Sequence, residues 1–234
     1  LERIIANGRF EVTGNISLTA SEKFLLRNQK RTLKQNYEAQ HNMIALYKQH
    51  NVTIDRGSIM AAFGCNFEGD ISIERVLQMC KQIFDLAAEY DLNIKTLALA
   101  DTMAWATPLS LKRVVGAVRD KYPEQRLSLH LHDTRGMALA LAYAGMEMGV
   151  DMYDSCVAGL GGCPFAAHSG AAGNICTEDL VFMCDEMGVE TGVNLEKLLD
   201  VARLAEDIVG HPLPGQVMRG GSLRALRERA RAAA

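Results

Sequence analysis

Apolar residues recur along this chain with two periods that alternate, and this pattern predicts a repeated order of strands and helices. Short apolar runs with period two predict strands over 9–17, 52–63, 94–100, 127–132 and 152–157. Longer stretches with the helical period predict helices over 34–50, 72–90, 108–121, 137–148, 177–187 and 194–209. Strands that alternate with helices through short connections are typical of a parallel sheet in an α/β protein.

Right-handed crossovers in series can build either an open doubly wound sheet or a closed barrel. No G-x-G-x-x-G sequence leads from a strand into a helix, so the signature of a dinucleotide-binding sheet is missing. Polar residues gather instead where strands end, at Asp101, at His130 and His132, and in the glycine-rich segment 159–165. Because βα barrels build their sites at this end of their strands, the gathering favours a (β/α)8 TIM barrel, although doubly wound sheets share this rule in part.

The number of strands indicates that this barrel is partial. Five strands and a candidate sixth over 171–175 are fewer than the eight of a complete barrel, and residues 1–8 resemble the tail of a helix. We therefore expect the first one or two βα units to be absent. We divide the chain into a partial barrel catalytic domain (1–176) and a C-terminal helical region packed on the barrel (177–234). The Arg-rich end, 219–234, is interpreted as a surface helix, with partner docking as the alternative.

Composition and charge narrow the classes of function. The 234 residues carry a formal net charge of −3, which argues against a nucleic-acid partner. No apolar run is long enough to span a bilayer, and we recognise no signal peptide, so we expect no membrane association. The six cysteines form neither a C-x-x-C zinc pattern nor a small disulfide framework. We therefore expect free thiols and a cytoplasmic location.

The sequence His130-Leu131-His132 places two imidazoles at the end of a predicted strand. Side chains two residues apart on a strand point to the same face, about 6–7 Å apart along the chain, so they can share one metal ion. The alternative is a pair of hydrogen-bonded histidines. Asn174 is a candidate oxygen ligand, and a set of imidazole and oxygen ligands suits Mg²⁺ or Mn²⁺. His168 is considered as a third imidazole, although a solvated loop histidine is the simpler interpretation.

Asp101 ends an apolar strand, where a carboxylate needs a partner because burying an unpaired charge costs several kcal/mol. Its functional role would be an acid, a base or a substrate anchor near the metal. The structural alternative is a cap for the turn that follows the strand.

Cys163 lies on a glycine-rich loop that also contains Gly159, Gly161 and Gly162. Glycine allows close approach of the backbone to a ligand and lets a loop move. A thiol on such a loop can act as an acid or a nucleophile once a neighbouring cation lowers its pKa. The alternative is an inert packing cysteine.

Four segments together resemble the 3-hydroxy-3-methylglutaryl-CoA (HMG-CoA) lyase family. They are Phe-Gly-Cys-Asn-Phe-Glu-Gly at 63–69, Ala-Asp-Thr at 100–102, His-Leu-His-Asp-Thr-Arg-Gly at 130–136 and Gly-Leu-Gly-Gly-Cys-Pro-Phe at 159–165. The resemblance runs from Ser21 to Pro214, and the cysteine of the glycine loop is its specific mark. It implies a βα barrel that binds a divalent metal and splits a 3-hydroxy acyl-CoA into acetyl-CoA and a keto acid such as acetoacetate.

The resemblance also implies roles for individual residues. It makes His130, His132 and Asn174 metal ligands, and gives His130 a further part in proton transfer. It makes Asp101 a catalytic carboxylate and Cys163 the thiol that helps to protonate the product enolate. It further implies an acyl-CoA substrate and a homo-oligomer, which we expect to be a dimer.

Several features depart from the family pattern. The family carries an Arg-Asp pair on its first strand and a glutamate on its second, and neither has a counterpart here; Arg119-Asp120 matches only in letters, near the end of a predicted surface helix. Trp105 and Ala106 replace a glycine-rich run. A sibling substrate such as citramalyl-CoA or a branched 3-hydroxyglutaryl-CoA is therefore an alternative. So are a synthase that runs the condensation and a non-catalytic binding module.

Overall fold

A computed structural model describes residues 1–162 and 172–232 of the chain. Its centre is a parallel sheet of five strands: β1 (Gly14–Thr19), β2 (Ile54–Met60), β5 (Thr96–Asp101), β6 (Arg126–Leu131) and β7 (Met152–Asp154). A small antiparallel hairpin of β3 (Gly64–Cys65) and β4 (Gly69–Asp70) follows β2.

The five strands lie side by side in the order in which the chain makes them, β1-β2-β5-β6-β7, and every pair is parallel. A doubly wound sheet reverses its strand order at a switch point, whereas a barrel adds each strand on the same side. The described strands therefore form part of a barrel wall, which confirms the predicted α/β class with a partial barrel.

Helices cover the connections between the strands and continue after the last strand. Their bounds are α1 (Glu2–Asn7), α2 (Glu22–Gln29), α3 (Leu33–Gln49), α4 (Ile73–Glu89), α5 (Pro108–Lys121), α6 (Ala138–Glu147), α7 (Thr177–Glu186), α8 (Leu195–Val209), α9 (Val217–Gly220) and α10 (Leu223–Ala232). Side chains at five of the described helix starts accept one of the first free backbone N–H groups: Ser21 before α2, Thr32 before α3, Ser72 before α4, Thr107 before α5 and Asn194 before α8. None of the helices in the described part of the chain combines the length and apolar character needed to cross a bilayer.

The candidate sixth strand over 171–175 is replaced by two isolated bridges. Asn174 pairs with His132 in antiparallel fashion, and Cys176 pairs with Cys156 in parallel fashion. Backbone bonds from Ile175 N to the Leu131 carbonyl and from Cys156 N to the Ile175 carbonyl complete this connection. The segment 173–177 therefore lies between the ends of β6 and β7, which brings Asn174 beside the histidine strand.

The hydrophobic core has a main cluster between the sheet and its helices and a smaller cluster among the C-terminal helices. The smaller cluster joins α7, α8 and α9 to the short 3-10 helix Val157–Gly159 that begins the glycine loop. Helix α7 contributes to both, because Leu180 packs in the main cluster and Val181 in the smaller one. The boundary that we predict between a catalytic domain and a C-terminal region stays a prediction.

Candidate functional site

A cavity of about 580 Å³ lies against one face of the sheet. Alternate residues of the strands line it, since side chains two apart point the same way. They are Asn15 and Ser17 of β1, Arg56, Ser58 and Met60 of β2, Ala98 and Ala100 of β5, His130 of β6 and Asp154 of β7, joined by His132 just beyond β6 and Gly162 of the glycine loop. The opposite face of the same strands carries the apolar residues of the main core.

His130 and His132 both line this cavity, as the alternation of the strand predicts. Their ring centroids lie 5.0 Å apart and the rings meet edge to face. His132 is buried, whereas His130 is partly open to the cavity. The pair therefore presents two imidazoles to one small volume.

Each imidazole is held through its Nδ1 atom. His132 Nδ1 lies 3.1 Å from the backbone oxygen of Asp101, which can only accept, so Nδ1 donates and Nε2 keeps its lone pair. His130 Nδ1 lies 3.2 Å from Asp154 Oδ2, a carboxylate oxygen that also accepts. Both Nε2 atoms are therefore left as acceptors, which is how a histidine binds a metal when its other nitrogen is anchored.

The charge state of His132 fits this arrangement. Burial and the neighbouring His130 hold the pKa of His132 below its usual range, although the hydrogen bond to the Asp101 carbonyl acts in the opposite direction. His132 is therefore neutral at neutral pH. A neutral imidazole is the form that binds a metal ion.

Asn174 offers an amide oxygen beside His132. Its Nδ2 donates to Cys156 Sγ at 3.0 Å, while its Oδ1 is buried and has no hydrogen-bond partner among the described residues. A buried carbonyl oxygen without a partner costs about 1–3 kcal/mol, and a divalent cation is a partner that would satisfy it. The two free Nε2 atoms and this oxygen form a donor set that fits Mg²⁺ or Mn²⁺.

The glycine loop packs closely against Asn174. Gly159 and Gly161 have positive φ values of 67° and 99°, a conformation that favours glycine. A Cβ atom on Gly161 would lie 3.0 Å from Asn174 Nδ2, and Gly162 lines the cavity. Cys163 and His168 lie outside the described residues, so their predicted roles stay predictions.

The structure places Asp101 differently from the expectation that its carboxylate works beside the metal. Asp101 is fully buried, and its carboxylate accepts from the backbone N–H of Trp105 at 2.7 Å and of Ala106 at 3.1 Å. The residues on either side of it line the cavity, so its own side chain lies on the opposite face of the strand. This geometry favours the cap of the turn after β5. Only the backbone oxygen of Asp101 reaches a site residue, His132.

Two residues that the sequence analysis missed complete the cavity wall. Arg56 Nη2 and Asp154 Oδ2 form an ion pair of 2.7 Å, and the same oxygen accepts from His130. The hydrogen bond from His130 and the charge of Arg56 hold the pKa of Asp154 below its usual range, despite its partial burial. A charged residue at an inward position of the strand 52–63 was the available signal for Arg56.

A second group of ligand-type residues lies nearby at the start of α7. The thiol of Cys176 and the carboxylates of Glu178 and Asp179 place ligand atoms within 4.8 Å of one another, and all three residues are buried. Both Asp179 oxygens accept from backbone N–H groups of residues 216 and 217, and Glu178 Oε2 accepts from residue 158. Burial and a hydrogen bond to Glu178 raise the pKa of the Cys176 thiol. This group therefore anchors α9 and the 3-10 helix to α7.

Several proteins of known class are similar to this chain in sequence. The chain matches the HMGL-like family over residues 8–205. It is 38% identical over 161 residues to the hydroxymethylglutaryl-CoA lyase YngG of Bacillus subtilis, covering 69% of this chain and 51% of that protein. It is also 38% identical over 199 residues to the mitochondrial hydroxymethylglutaryl-CoA lyase of Homo sapiens, covering 85% and 58%. The chain thus spans about half the length of the curated relatives it matches.

Solved structures of HMG-CoA lyases have a fold similar to that of this chain. The HMG-CoA lyase of Bacillus subtilis superposes with a TM-score of 0.82 at 32% identity, covering 93% of this chain and 70% of that one. An HMG-CoA lyase of Acinetobacter baumannii in complex with coenzyme A and 3-methylmalate gives a TM-score of 0.78 at 37% identity, covering 89% and 65%. With the family match across most of its length, this chain belongs to the HMGL-like family.

Proposed function

We propose that this protein is a metal-dependent carbon–carbon lyase that cleaves a 3-hydroxy-3-methyl acyl-CoA of the HMG-CoA type to acetyl-CoA and a keto acid such as acetoacetate. One observation carries the proposal: His130 and His132 line one cavity, next to Asn174, and their Nε2 atoms and its amide oxygen have no hydrogen-bond partner among the described residues. Membership of the HMGL-like family supports the class of reaction.

His130, His132 and Asn174 would hold the divalent cation, Mg²⁺ or Mn²⁺. When bound, such a cation lowers the pKa of the substrate hydroxyl and fixes the position of the substrate oxygens. The lyase relatives also support an acyl-CoA substrate, since the Acinetobacter baumannii structure contains coenzyme A. A homodimer and a cytoplasmic location remain predictions from the sequence.

The reaction breaks the bond between C2 and C3 of the acyl group and needs two proton transfers. The C3 hydroxyl gives its proton to a base, a role that we assign to His130 Nε2. The C3 carbonyl forms as the C2–C3 bond breaks, and the electron pair of that bond moves to C2 to form the enolate of acetyl-CoA. That carbon must then receive a proton, which we assign to the Cys163 thiol on the glycine loop. Apolar residues of the cavity wall, among them Met60, Ala98 and Ala100, limit access of water to the enolate until it is protonated.

His130 is assigned both a ligand role and a proton-transfer role, and only its Nε2 atom is free to serve either. At a given moment this nitrogen can bind the cation or accept the hydroxyl proton. Titration of a His130→Ala variant with Mn²⁺ separates the two roles. Retained affinity assigns His130 to proton transfer, and lost affinity assigns it to the metal.

A sibling substrate of the citramalyl-CoA class is the second candidate. The relative from Acinetobacter baumannii, 37% identical to this chain, was solved with 3-methylmalate, a methyl-substituted hydroxy dicarboxylate. The wall of the cavity formed by β1 and β2 carries Asn15, Ser17 and Ser58, whose polar groups suit the free carboxylate that citramalyl-CoA carries directly on its hydroxyl-bearing carbon.

The test is an assay of acetyl-CoA release from HMG-CoA and from citramalyl-CoA in the presence of Mn²⁺, combined with a Mn²⁺ titration followed by electron paramagnetic resonance. We expect saturable Mn²⁺ binding and cleavage of the C2–C3 bond in at least one of the two acyl-CoA substrates. A chain that binds no Mn²⁺ would contradict the proposal and favour a binding module. Condensation of acetyl-CoA with a keto acid, without cleavage, would favour a synthase.

A further inference from the structure

We propose that Asp154, held in place by Arg56, is a positioning residue that fixes the tautomer and orientation of His130. This inference rests on the proposed function to the extent that His130 acts there through its Nε2 atom. It assigns a role to two residues that lie on different strands from the histidine.

The three residues meet across the inner face of the sheet. Asp154 is the register partner of His130 on the neighbouring strand, and its Oδ2 lies 3.2 Å from His130 Nδ1. Arg56 comes from β2, 98 positions away from Asp154 in the sequence, and donates to the same oxygen at 2.7 Å. One carboxylate oxygen therefore receives both donors.

The ion pair joins two strands that are not neighbours. Arg56 lies on β2 and Asp154 on β7, and β5 and β6 stand between these strands in the sheet. The inward positions of β5 carry the small residues Ala98 and Ala100, which line the same cavity as Arg56 and Asp154. The contact is therefore made on the cavity side of the sheet.

The network belongs to the cavity and not to the outer surface. The side chains of Arg56, Asp154 and His130 are 34%, 38% and 33% exposed, and all three line the cavity. Their open surface therefore faces the volume in which a substrate would lie. The same Asp154 oxygen accepts from His130, so the ion pair also determines the position of the acceptor that His130 uses.

The consequence for His130 follows from hydrogen-bond chemistry. A carboxylate oxygen accepts only, so it selects the tautomer with a proton on Nδ1 and a lone pair on Nε2. Without Asp154 the ring is free to rotate and to place its proton on Nε2, where it would block ligation or proton transfer. Partners that orient a metal-ligating histidine in this way typically change metal affinity 10–100-fold when they are removed.

The same two strands provide a matched control at their other end. Arg126 and Asp151 form an ion pair through two contacts of 3.0 and 2.9 Å, with side chains 56% and 62% exposed. Neither residue lines the cavity. An Asp151→Ala variant therefore removes an Arg–Asp pair between the start of β6 and the residue just before β7, without touching His130.

The experiment uses the full chain and two readouts. Long-range ¹⁵N–¹H correlation spectra of the metal-free protein report the tautomer of His130, and Mn²⁺ titration reports the affinity. For Asp154→Ala we expect proton density to move toward Nε2 and the Kd for Mn²⁺ to rise about 10–100-fold. Asp151→Ala should match the wild type in both. Asp154→Asn, whose amide oxygen can still accept from Nδ1, should lose less affinity than Asp154→Ala.

Arg56→Gln provides a second route to the same result, since it leaves the carboxylate in place but removes the group that holds it. We expect an affinity between those of the wild type and Asp154→Ala. An Asp154→Ala protein that keeps the Nδ1–H tautomer and the wild-type Kd would overturn the inference. If the wild type itself binds no Mn²⁺, the proposed function fails, whereas the tautomer measured without metal still decides the positioning role.

Discussion

Two groups of ligand-type side chains lie almost next to each other in this chain, and they differ in what their lone pairs do. In the histidine group (His130, His132 and Asn174), both Nε2 atoms and one amide oxygen have no hydrogen-bond partner among the described residues. In the carboxylate group (Cys176, Glu178 and Asp179), backbone N–H groups of two other segments occupy three of the four carboxylate oxygens, and within the described part of the chain Glu178 Oε1 alone of the four has no partner. The ligand atoms of the carboxylate group lie within 4.8 Å of one another. The comparison teaches that proximity of ligand-type atoms is not enough to indicate a metal site, because most of these oxygens already accept hydrogen bonds that hold the fold together.

The largest effect that separates the two groups should come from His132→Ala. Removing a buried imidazole that faces the cavity deletes one of the proposed metal ligands, so Mn²⁺ affinity and acetyl-CoA release should both fall by more than about 100-fold, the upper range for merely losing a ligand's hydrogen-bond partner. His211→Ala, a change at an exposed histidine outside the cavity, is the control. Unchanged Mn²⁺ affinity in His132→Ala would remove the histidine group as the metal site.

A change at Cys163 should separate chemistry from binding within the histidine group's cavity. A serine hydroxyl is a much weaker acid than a thiol, so Cys163→Ser should lower turnover by about 100-fold, a value typical of a lost general acid. Its Mn²⁺ affinity should equal that of the wild type, because the proposed ligands are unchanged. Turnover measured at saturating Mn²⁺ tests this. A parallel loss of Mn²⁺ affinity would contradict the division of roles.

The features that could be predicted from sequence are those set by local periodicity. The alternation of a strand places His130 and His132 on one face, and helix caps such as Ser72 and Thr107 mark where helices begin. The barrel arrangement followed from the strand–helix order and from polar residues at strand ends. Each of these depends on residues within a few positions of one another.

The features that escaped prediction depend on contacts between distant strands or on the direction of one side chain. The Arg56–Asp154 pair joins two strands that β5 and β6 separate in the sheet, and local periodicity does not reveal which distant strands come together. Asp101 lies at a strand end as predicted, but the sequence does not show that the chain turns back and offers its carboxylate two backbone N–H groups. Its catalytic role stays a prediction. Residue type and position alone do not show which face of the strand offers hydrogen-bond donors to a carboxylate.

A change in the carboxylate group should affect stability and leave metal binding unchanged. Asp179→Ala removes the acceptors of two backbone N–H groups at the start of α9, which should lower the free energy of unfolding by about 2 kcal/mol. Urea denaturation measures this loss. Asp185→Ala, at an exposed position near the end of the same helix, should cost much less. A loss of Mn²⁺ affinity in Asp179→Ala would show that the carboxylate group, and not the histidine group, holds the metal.

The smallest effect concerns Asp101, which resembles the carboxylate group in having its oxygens occupied by backbone donors. Burial raises the pKa of Asp101 to about 6, above the usual range of an aspartate, although hydrogen bonds from Trp105 and Ala106 act against this. The folded protein therefore holds this proton more tightly than the unfolded chain does. The stabilisation is complete below the unfolded pKa and is lost as the pH rises through the folded pKa.

Between about pH 5 and pH 7 this loss should amount to about 1 kcal/mol of unfolding free energy. The Asp101→Asn variant has no carboxyl at this position that titrates between pH 5 and pH 7. The variant is less stable at every pH, because its amide N–H atoms are buried among donors, but the gap to the wild type should narrow as the pH rises. Other titrating groups are common to both proteins, so the difference between the two stability curves isolates this carboxyl. Parallel curves would mean that Asp101 is already ionised at pH 5, and that its backbone donors outweigh its burial.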